Sequence, residues 1–192
     1  MQSIQNSIIN TIIIQKSKFI CKLIPIQTIT DIKKELNQIK SEFPDATHYC
    51  YAYICGSEIH VSDDGEPSGT AGMPILNVLQ KQNLNYILVI VIRYFGGIKL
   101  GAGGLVRAYS NATIEALKKT VYTTLVPGKL ITCSFSYSVE KQVEYLLSNA
   151  QIIEKKYQEK ITYKIKIANE ELNKIANQIP SFLIEEDLLI AR

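Results

Sequence analysis

Several residue types with distinctive chemistry are scarce or missing in this sequence. The chain of 192 residues has no tryptophan and only two histidines, His48 and His60, so a mechanism that needs a cluster of imidazoles is nearly excluded. None of its four cysteines forms a CxxC pair, and we therefore expect free thiols in a reducing compartment. The cysteines are Cys21, Cys50, Cys55 and Cys133.

Long hydrophobic runs are also missing. The longest apolar run, Tyr86–Ile92, is far shorter than the ~20 residues that a membrane-spanning helix needs. The first residues, Met1–Asn6, have neither the basic start nor the apolar stretch of a signal peptide. We therefore predict a cytoplasmic protein without a membrane partner.

Excess charge is small, but it is unevenly distributed. The chain has 21 Lys and Arg against 18 Asp and Glu, and the net charge of +3 excludes a protein that is basic all over. Up to Pro127 there are 12 basic and 9 acidic residues, and after Pro127 there are 9 of each. The whole excess (12 − 9 = +3) therefore belongs to the first part of the chain.

The length allows two small domains, and the segment Val126–Gly128 is the best candidate boundary. We predict domains at residues 1–127 and 128–192. In the second, the patterns indicate the order β-α-β-β-α, closed by a strand at either Phe182–Ile184 or Leu188–Ile190. This order is typical of a ferredoxin-like domain, so the fold class is a two-domain α+β protein.

The first domain has strong strand and helix signals. Residues 4–14 and 18–26 predict two strands, and Thr30 is the expected N-cap of a helix that ends before Pro44. The uniformly apolar run 86–92 predicts a strand covered on both faces. Residues 62–74 have no apolar periodicity and predict a loop, with Pro74 in the first turn of the next helix.

This loop contains a cluster of oxygen-bearing side chains, which are Asp63, Asp64, Glu66, Ser68 and Thr70. Hard cations such as Mg²⁺ prefer oxygen ligands of this kind, with phosphate oxygens completing the shell. Asp63, Asp64 and Glu66 are therefore candidate catalytic residues, and Asp63 and Asp64 are candidate Mg²⁺ ligands. Alternatively, Asp-Gly and Pro-Ser-Gly are ordinary turn sequences without a chemical role.

A glycine-rich, basic stretch follows the apolar strand. Glycine lets backbone N–H groups approach an anion, and a helix N-terminus favours negative charge there. Neither the Walker A pattern nor the dinucleotide fingerprint fits this stretch. The alternative to anion binding is a tight strand-to-helix turn. With Ser68 and Thr70, the candidate anion- or nucleic-acid-binding residues are Arg93, Lys99, Gly101, Gly103, Gly104 and Arg107.

The predicted strand Thr47–Cys55 carries the third candidate group. His48 and Cys50 share one face, where a histidine could activate a thiolate, and the tyrosines on the other face could stack on bases. Zinc binding is disfavoured because Cys50 and Cys55 point to opposite faces of a regular strand. Aromatic stripes of this kind are more often part of a core or a domain interface.

Three long motifs in these regions resemble the signature of the YigZ/IMPACT family, with the core resemblance covering about residues 16–115. They read ATHYCYAY, SDDGEPSGTAGMPIL and VIRYFGGIKLGAGGLVRAYSNA. The resemblance implies a first domain of the ribosomal-protein class that includes GHMP kinases and domain IV of elongation factor G, an α/β sandwich. It implies a second, ferredoxin-like domain similar to domain V of that factor.

The resemblance also bears on function, because eukaryotic members regulate translation initiation through a nutrient-sensing kinase pathway. Segments Asp63–Gly72 and Arg93–Arg107 match the family pattern, whereas Met73 stands where many members have a basic residue. The additional N-terminal domain on which the eukaryotic partner-binding role depends is not part of this sequence.

Three hypotheses follow. In the first, the protein binds RNA or the ribosome, without DNA sequence specificity, through the glycine-rich basic stretch. In the second, it is a Mg²⁺-dependent enzyme for a phosphorylated small molecule, with the acidic and glycine-rich loops in one cleft. In the third, the loops are structural, with Asp63 or Glu66 paired to Arg93 or Arg107, and the domain is a scaffold for protein partners.

Overall fold

The computed structural model describes residues 1–191, and its Cα packing divides the chain into two units, Met1–Thr124 and Leu125–Arg192. The described residues form two antiparallel sheets and five α-helices, which confirms a mixed α/β protein. One long strand, Tyr122–Phe135, passes through the division between the units. The segment Val126–Gly128 is therefore extended strand, and the predicted boundary after Pro127 falls inside it.

The first unit contains one main sheet and three helices. Its strands are β1 (Gln2–Ile4), β2 (Ile8–Ile14), β3 (Ser17–Pro25), β4 (His48–Cys55), β5 (Glu58–Ser62) and β6 (Ile87–Tyr94). Its helices are α1 (Ile29–Glu42), α2 (Gly72–Lys81) and α3 (Gly101–Leu117). The sheet order is β2-β3-β6-β4-β5, and β1 pairs with residues 122–124.

The central strand β6 is buried at every position except its last residue, because helices cover both faces of the sheet. Side chains of α2 and α3 pack with Cys21, Val89 and Val91 on one face. Side chains of α1 pack with Ile90 and Ile92 on the other. The uniformly apolar sequence of this strand therefore reflects burial on two sides, as predicted.

One helix start differs from the sequence-based expectation and another agrees with it. Helix α1 begins at Ile29 with Thr28 as its N-cap, so the expectation of a cap at Thr30 is wrong. The carboxylate of Asp31 accepts the backbone N–H of Thr28 at 3.0 Å, an arrangement that fixes the start two residues earlier. Helix α2 begins at Gly72, and Pro74 lies in its first turn as expected.

The second unit consists of a four-stranded sheet with two helices. The elements in chain order are β7 (Tyr122–Phe135), a 3-10 turn at Tyr137–Val139, α4 (Glu140–Leu146), β8 (Gln151–Tyr157), β9 (Ile161–Ala168), α5 (Asn169–Ile175) and β10 (Phe182–Ala191). The strand order is β10-β7-β9-β8. The two candidate closing strands of the sequence analysis are thus parts of one strand.

A close backbone contact joins the β2–β3 turn to the end of β6. The turn residues Gln15 and Lys16 have positive φ values of 45° and 67°. The N–H of Gly96 donates to Ser17 Oγ at 3.2 Å, and a Cβ at Gly96 would overlap the backbone of Lys16 and Ser17. Only glycine fits there, so this part of the glycine-rich stretch serves packing.

We expect Gly96→Ala to lower the free energy of unfolding by about 1–3 kcal/mol, since the added methyl group pushes two backbone segments apart. The matched control is Gly103→Ala, because a Cβ at Gly103 meets no atom closer than 4.0 Å. In helix α3 that substitution is neutral or slightly stabilising. Urea unfolding followed by circular dichroism measures both variants, and equal stabilities would contradict the close contact.

Candidate functional site

The loop between β5 and α2 is organised around the carboxylate of Asp63. One of its oxygens accepts the N–H of Gly69 at 2.8 Å, and the other accepts those of Ala71 at 3.0 Å and Gly72 at 2.8 Å. Desolvation by partial burial acts to raise the pKa of Asp63, but these three donors outweigh it and hold the pKa below its usual range. Asp63 therefore closes the loop onto the start of α2.

Asp64 ties the same loop to strand β4. Its carboxylate accepts the backbone N–H of Tyr49 at 2.6 Å, and its carbonyl oxygen lies 2.8 Å from His48 Nδ1. Because a carbonyl oxygen can only accept, Nδ1 is the donor of this hydrogen bond. The positive φ of Asp64, 42°, belongs to this tight turn.

Glu66 and Arg93 form an ion pair inside the first unit. The two residues are only 8% and 5% exposed, and Arg93 Nη1 donates to Glu66 Oε1 at 2.5 Å. The hydroxyl of Tyr109 donates to the same oxygen at 2.7 Å, and Arg93 Nη2 lies 3.4 Å from Ser17 Oγ. This network joins the acidic loop, the end of β6, helix α3 and the β2–β3 turn.

Cys50 belongs to the edge of this network and is not an activated nucleophile. Its Sγ lies 3.0 Å from the carbonyl oxygen of Asp63 and 3.2 Å from the hydroxyl of Tyr109. Burial raises the pKa of the thiol to about 12, with the nearby carboxylates adding to it and the hydrogen bond to Tyr109 opposing it. His48 Nε2 approaches Glu66 at 3.9 Å and makes no hydrogen bond with Cys50. The contacts of the two side chains therefore give the hypothesis of a His48–Cys50 dyad no support.

The three loop carboxylates do not form one metal site. Asp63 is occupied by backbone donors, Asp64 binds Tyr49, and Glu66 is neutralised by Arg93. Within residues 1–191, no group of three or more His, Cys, Asp or Glu side chains is close enough to hold a metal ion. The three carboxylates are therefore not arranged as the Mg²⁺ site considered from the sequence.

The basic residues of the glycine-rich stretch are placed differently from one another. Lys99 and Arg107 are exposed, whereas Arg93 is buried. Arg107 Nε donates to the carbonyl of Gly103 at 3.1 Å, so its side chain lies along the first turn of α3. Across the part of the chain that the structure describes, neither Lys99 nor Arg107 has a carboxylate within 4.0 Å.

The backbone around these cations is open to solvent. Gly101 and Gly103 are exposed and Gly104 is partly exposed, and helix α3 starts there without a side-chain cap and without an acidic residue in its first turn. Ser68 is exposed, but Thr70 is buried and donates to the carbonyl of Pro67 at 2.6 Å. We call the exposed segment of residues 95–107 the glycine-rich surface.

The structure thus brings together only one of the predicted pairs of opposite charge, Glu66 with Arg93. Asp63 and Asp64 make their contacts within the loop and with β4. Sequence reasoning missed Ser17 and Tyr109 as members of the buried network. Ser17 stands in a strand break and Tyr109 at a helical core position, so no motif distinguished either of them.

Comparisons with known proteins agree with these motifs. The pattern of the Impact N-terminal domain family matches residues 15–117, which is more than half of the chain. IMPACT family member YvyE of Bacillus subtilis is 38% identical over 84% of this chain and 77% of its own length. IMPACT family member YigZ of Escherichia coli is 32% identical, over 88% and 86% respectively.

A solved structure, described as that of a hypothetical protein, is similar over 95% of both chains, with 30% identity and a TM-score of 0.67. This chain belongs to the IMPACT family, as the three motifs indicate. No helix in the described part of the chain is long and apolar enough to cross a membrane.

The buried ion pair makes a prediction for stability. We expect Arg93→Met to lower the free energy of unfolding by about 3–5 kcal/mol, because it leaves the carboxylate of Glu66 buried without its partner. Glu66→Gln with Arg93→Met should cost less than the sum of the single changes, since the pair then disappears as a unit. Denaturant unfolding of the three variants completes the cycle.

The control for this cycle is the exposed pair Glu115–Lys118 on helix α3. Removing either of its charges should change stability by less than about 1 kcal/mol. Strict additivity at Glu66 and Arg93 would show that the two side chains do not depend on each other.

Asp63 makes a prediction for acid stability. Because its folded-state pKa is lowered, its stabilisation is present above the unfolded pKa of about 3.9 and is lost as the pH falls through the folded value. The difference in stability between the natural chain and Asp63→Asn should therefore be large near pH 7 and shrink in acid. Asp45→Asn, at an exposed position, removes the same charge and should show no such trend.

Proposed function

We propose that this chain is a translation-linked regulatory protein that binds RNA or the ribosome through the glycine-rich surface. The observation that carries the proposal is the charge of residues 95–107, which include the exposed cations Lys99 and Arg107 and no acidic residue. Of the three loop carboxylates, Glu66 is buried against Arg93, and Asp63 accepts three backbone N–H groups. Neither of them pairs with Lys99 or Arg107 in the part of the chain that the structure describes.

The chemistry of this surface suits a phosphate backbone. Cationic side chains release counterions when they neutralise phosphates, and the first N–H groups of α3 add partial positive charge beside them. The exposed glycines let a phosphate approach the backbone without meeting a Cβ. Arg93 has a different role in this proposal, because its guanidinium is committed to Glu66 beneath the surface.

The link to translation rests on the family and on the two units taken separately. In the second unit, the order β10-β7-β9-β8 and the alternation of strands and helices support a ferredoxin-like domain, as in domain V of elongation factor G. In the first unit, the antiparallel sheet beneath α2 and α3 supports the class of domain IV of that factor. The assignments of the two units to these domain classes are part of the proposal.

A scaffold for protein partners is the second candidate. The observation in its favour is the buried Glu66–Arg93 pair, which gives both loops a structural role. The enzyme hypothesis has no comparable support, because its three candidate carboxylates face different partners.

RNA binding at low salt tests the proposal. We expect Lys99→Ala with Arg107→Ala to weaken binding of a fluorescent RNA by about ten-fold or more. The slope of log K against log salt concentration should also become less steep, by an amount equal to the loss of up to two phosphate contacts. The matched control is Lys118→Ala with Lys119→Ala, which removes two exposed charges at the other end of the same helix. Anisotropy titrations measure both.

The proposal fails if the natural chain shows no affinity for RNA or ribosomes at low salt. It also fails if both double variants lose the same amount of affinity, because the effect would then belong to net charge. A pull-down in which the chain captures only proteins would favour the scaffold.

A further inference from the structure

The glycine-rich surface exposes apolar side chains as well as cations. Phe95 is 47% exposed, Ile98 41% and Val106 38%, and all three lie within the acid-free segment of residues 95–107. Phosphate binding alone needs no such side chains. Apolar side chains interleaved with unpaired cations fit a ligand that combines negative charge with flat apolar groups.

Phe95 is held in place from beneath. Its backbone N–H donates to Thr47 Oγ1 at 3.1 Å, and the guanidinium carbon of Arg93 lies 5.5 Å from its ring centroid. Arg93 is fixed in turn by its ion pair with Glu66. The ring therefore lies against a buried cation. Because the ring is already held in place, a ligand that stacks on its exposed part loses little free energy in ordering it.

We propose that Phe95 is a stacking platform for an unpaired base of single-stranded RNA whose phosphates contact Lys99 and Arg107. This inference rests on the proposed function and narrows its ligand. Base–aromatic stacking combined with a basic track is the usual way of binding single strands. In a duplex, the bases are stacked on one another and their faces are unavailable, so an exposed phenyl ring selects for unpaired RNA.

The exposed ring of Phe95 favours RNA over an acidic protein as the occupant. An acidic peptide can pair with the two cations, but its negative charges are not each accompanied by a flat group that could cover the ring of Phe95. Nucleotides provide one base for every phosphate. The acidic peptide is nevertheless tested as a competitor below.

The experiment uses the full chain, a labelled oligouridine of about twelve nucleotides and an RNA duplex of the same length, at low salt. Phe95→Leu keeps an apolar side chain but removes the ring. We expect it to weaken binding of the single strand about 5- to 100-fold and to leave duplex binding unchanged. The matched control is Tyr145→Leu, which removes an aromatic ring that is 80% exposed on α4 and should change neither affinity.

A second variant reports on stacking directly. Since the chain contains no tryptophan, Phe95→Trp introduces a single indole into the protein. Affinity for the single strand should be retained or increased. The indole fluorescence should be quenched on addition of oligouridine, but not on addition of polyphosphate, which has charge and no bases.

The outcomes separate the inference from the proposed function. If Phe95→Leu binds the single strand like the natural chain, while Lys99→Ala with Arg107→Ala does not, RNA binding stands and the stacking platform is refuted. If the natural chain binds neither RNA, the proposed function itself fails. If an acidic peptide displaces oligouridine and quenches the indole equally well, a protein ligand replaces RNA and the inference is overturned.

Discussion

A buried charge needs a partner, and in this protein the partner of Arg93 comes from a loop almost thirty positions earlier in the chain. Glu66 reaches the interior from the segment between β5 and α2, and Arg93 reaches it from the end of the central strand β6. Either charge alone would be costly in this position. Once they meet, Tyr109 and Ser17 add further hydrogen bonds, and four separate segments are fixed at one point.

The buried Glu66–Arg93 pair also affects the charge of the glycine-rich surface. Glu66 is neutralised inside the unit, and the carboxylate of Asp63 is held by backbone donors at the start of α2, so neither pairs with Lys99 or Arg107 in the described residues. The same guanidinium that binds Glu66 lies against the ring of Phe95. A motif with three carboxylates thus produces a basic surface with an aromatic residue beside it.

Much of the fold could be predicted from the sequence, because burial imposes a recognisable spacing of apolar residues on strands and helices. The apolar strand β6, the helix with Pro74 in its first turn and the β-α-β-β-α order of the second unit are all present as predicted. The start of α1 is different, since Thr28 and Thr30 are both good caps and only the contact between Asp31 and Thr28 decides between them. The strand through Val126–Gly128 is not evident from the sequence, because Pro127 and Gly128 are typical turn residues and the strands that pair with this segment lie far along the chain.

The candidate site is less predictable, because spacing does not tell which way a side chain turns. Arg93, Lys99 and Arg107 look alike in the sequence, yet one is buried and two are exposed. Asp63, Asp64 and Glu66 likewise form one cluster in the sequence and face three different partners in the fold. The hypothesis of paired loops anticipated Glu66 with Arg93, but Ser17 and Tyr109 carried no signal that could have placed them there.

Hydrogen–deuterium exchange of the full chain, with and without single-stranded RNA, tests the central claim most directly. We expect bound RNA to slow amide exchange in residues 95–107, including the first turn of α3, while the peptides covering α1 and the second unit exchange as before. Protection confined to the tyrosine-rich strand β4 or to the second unit, with residues 95–107 unchanged, would contradict it.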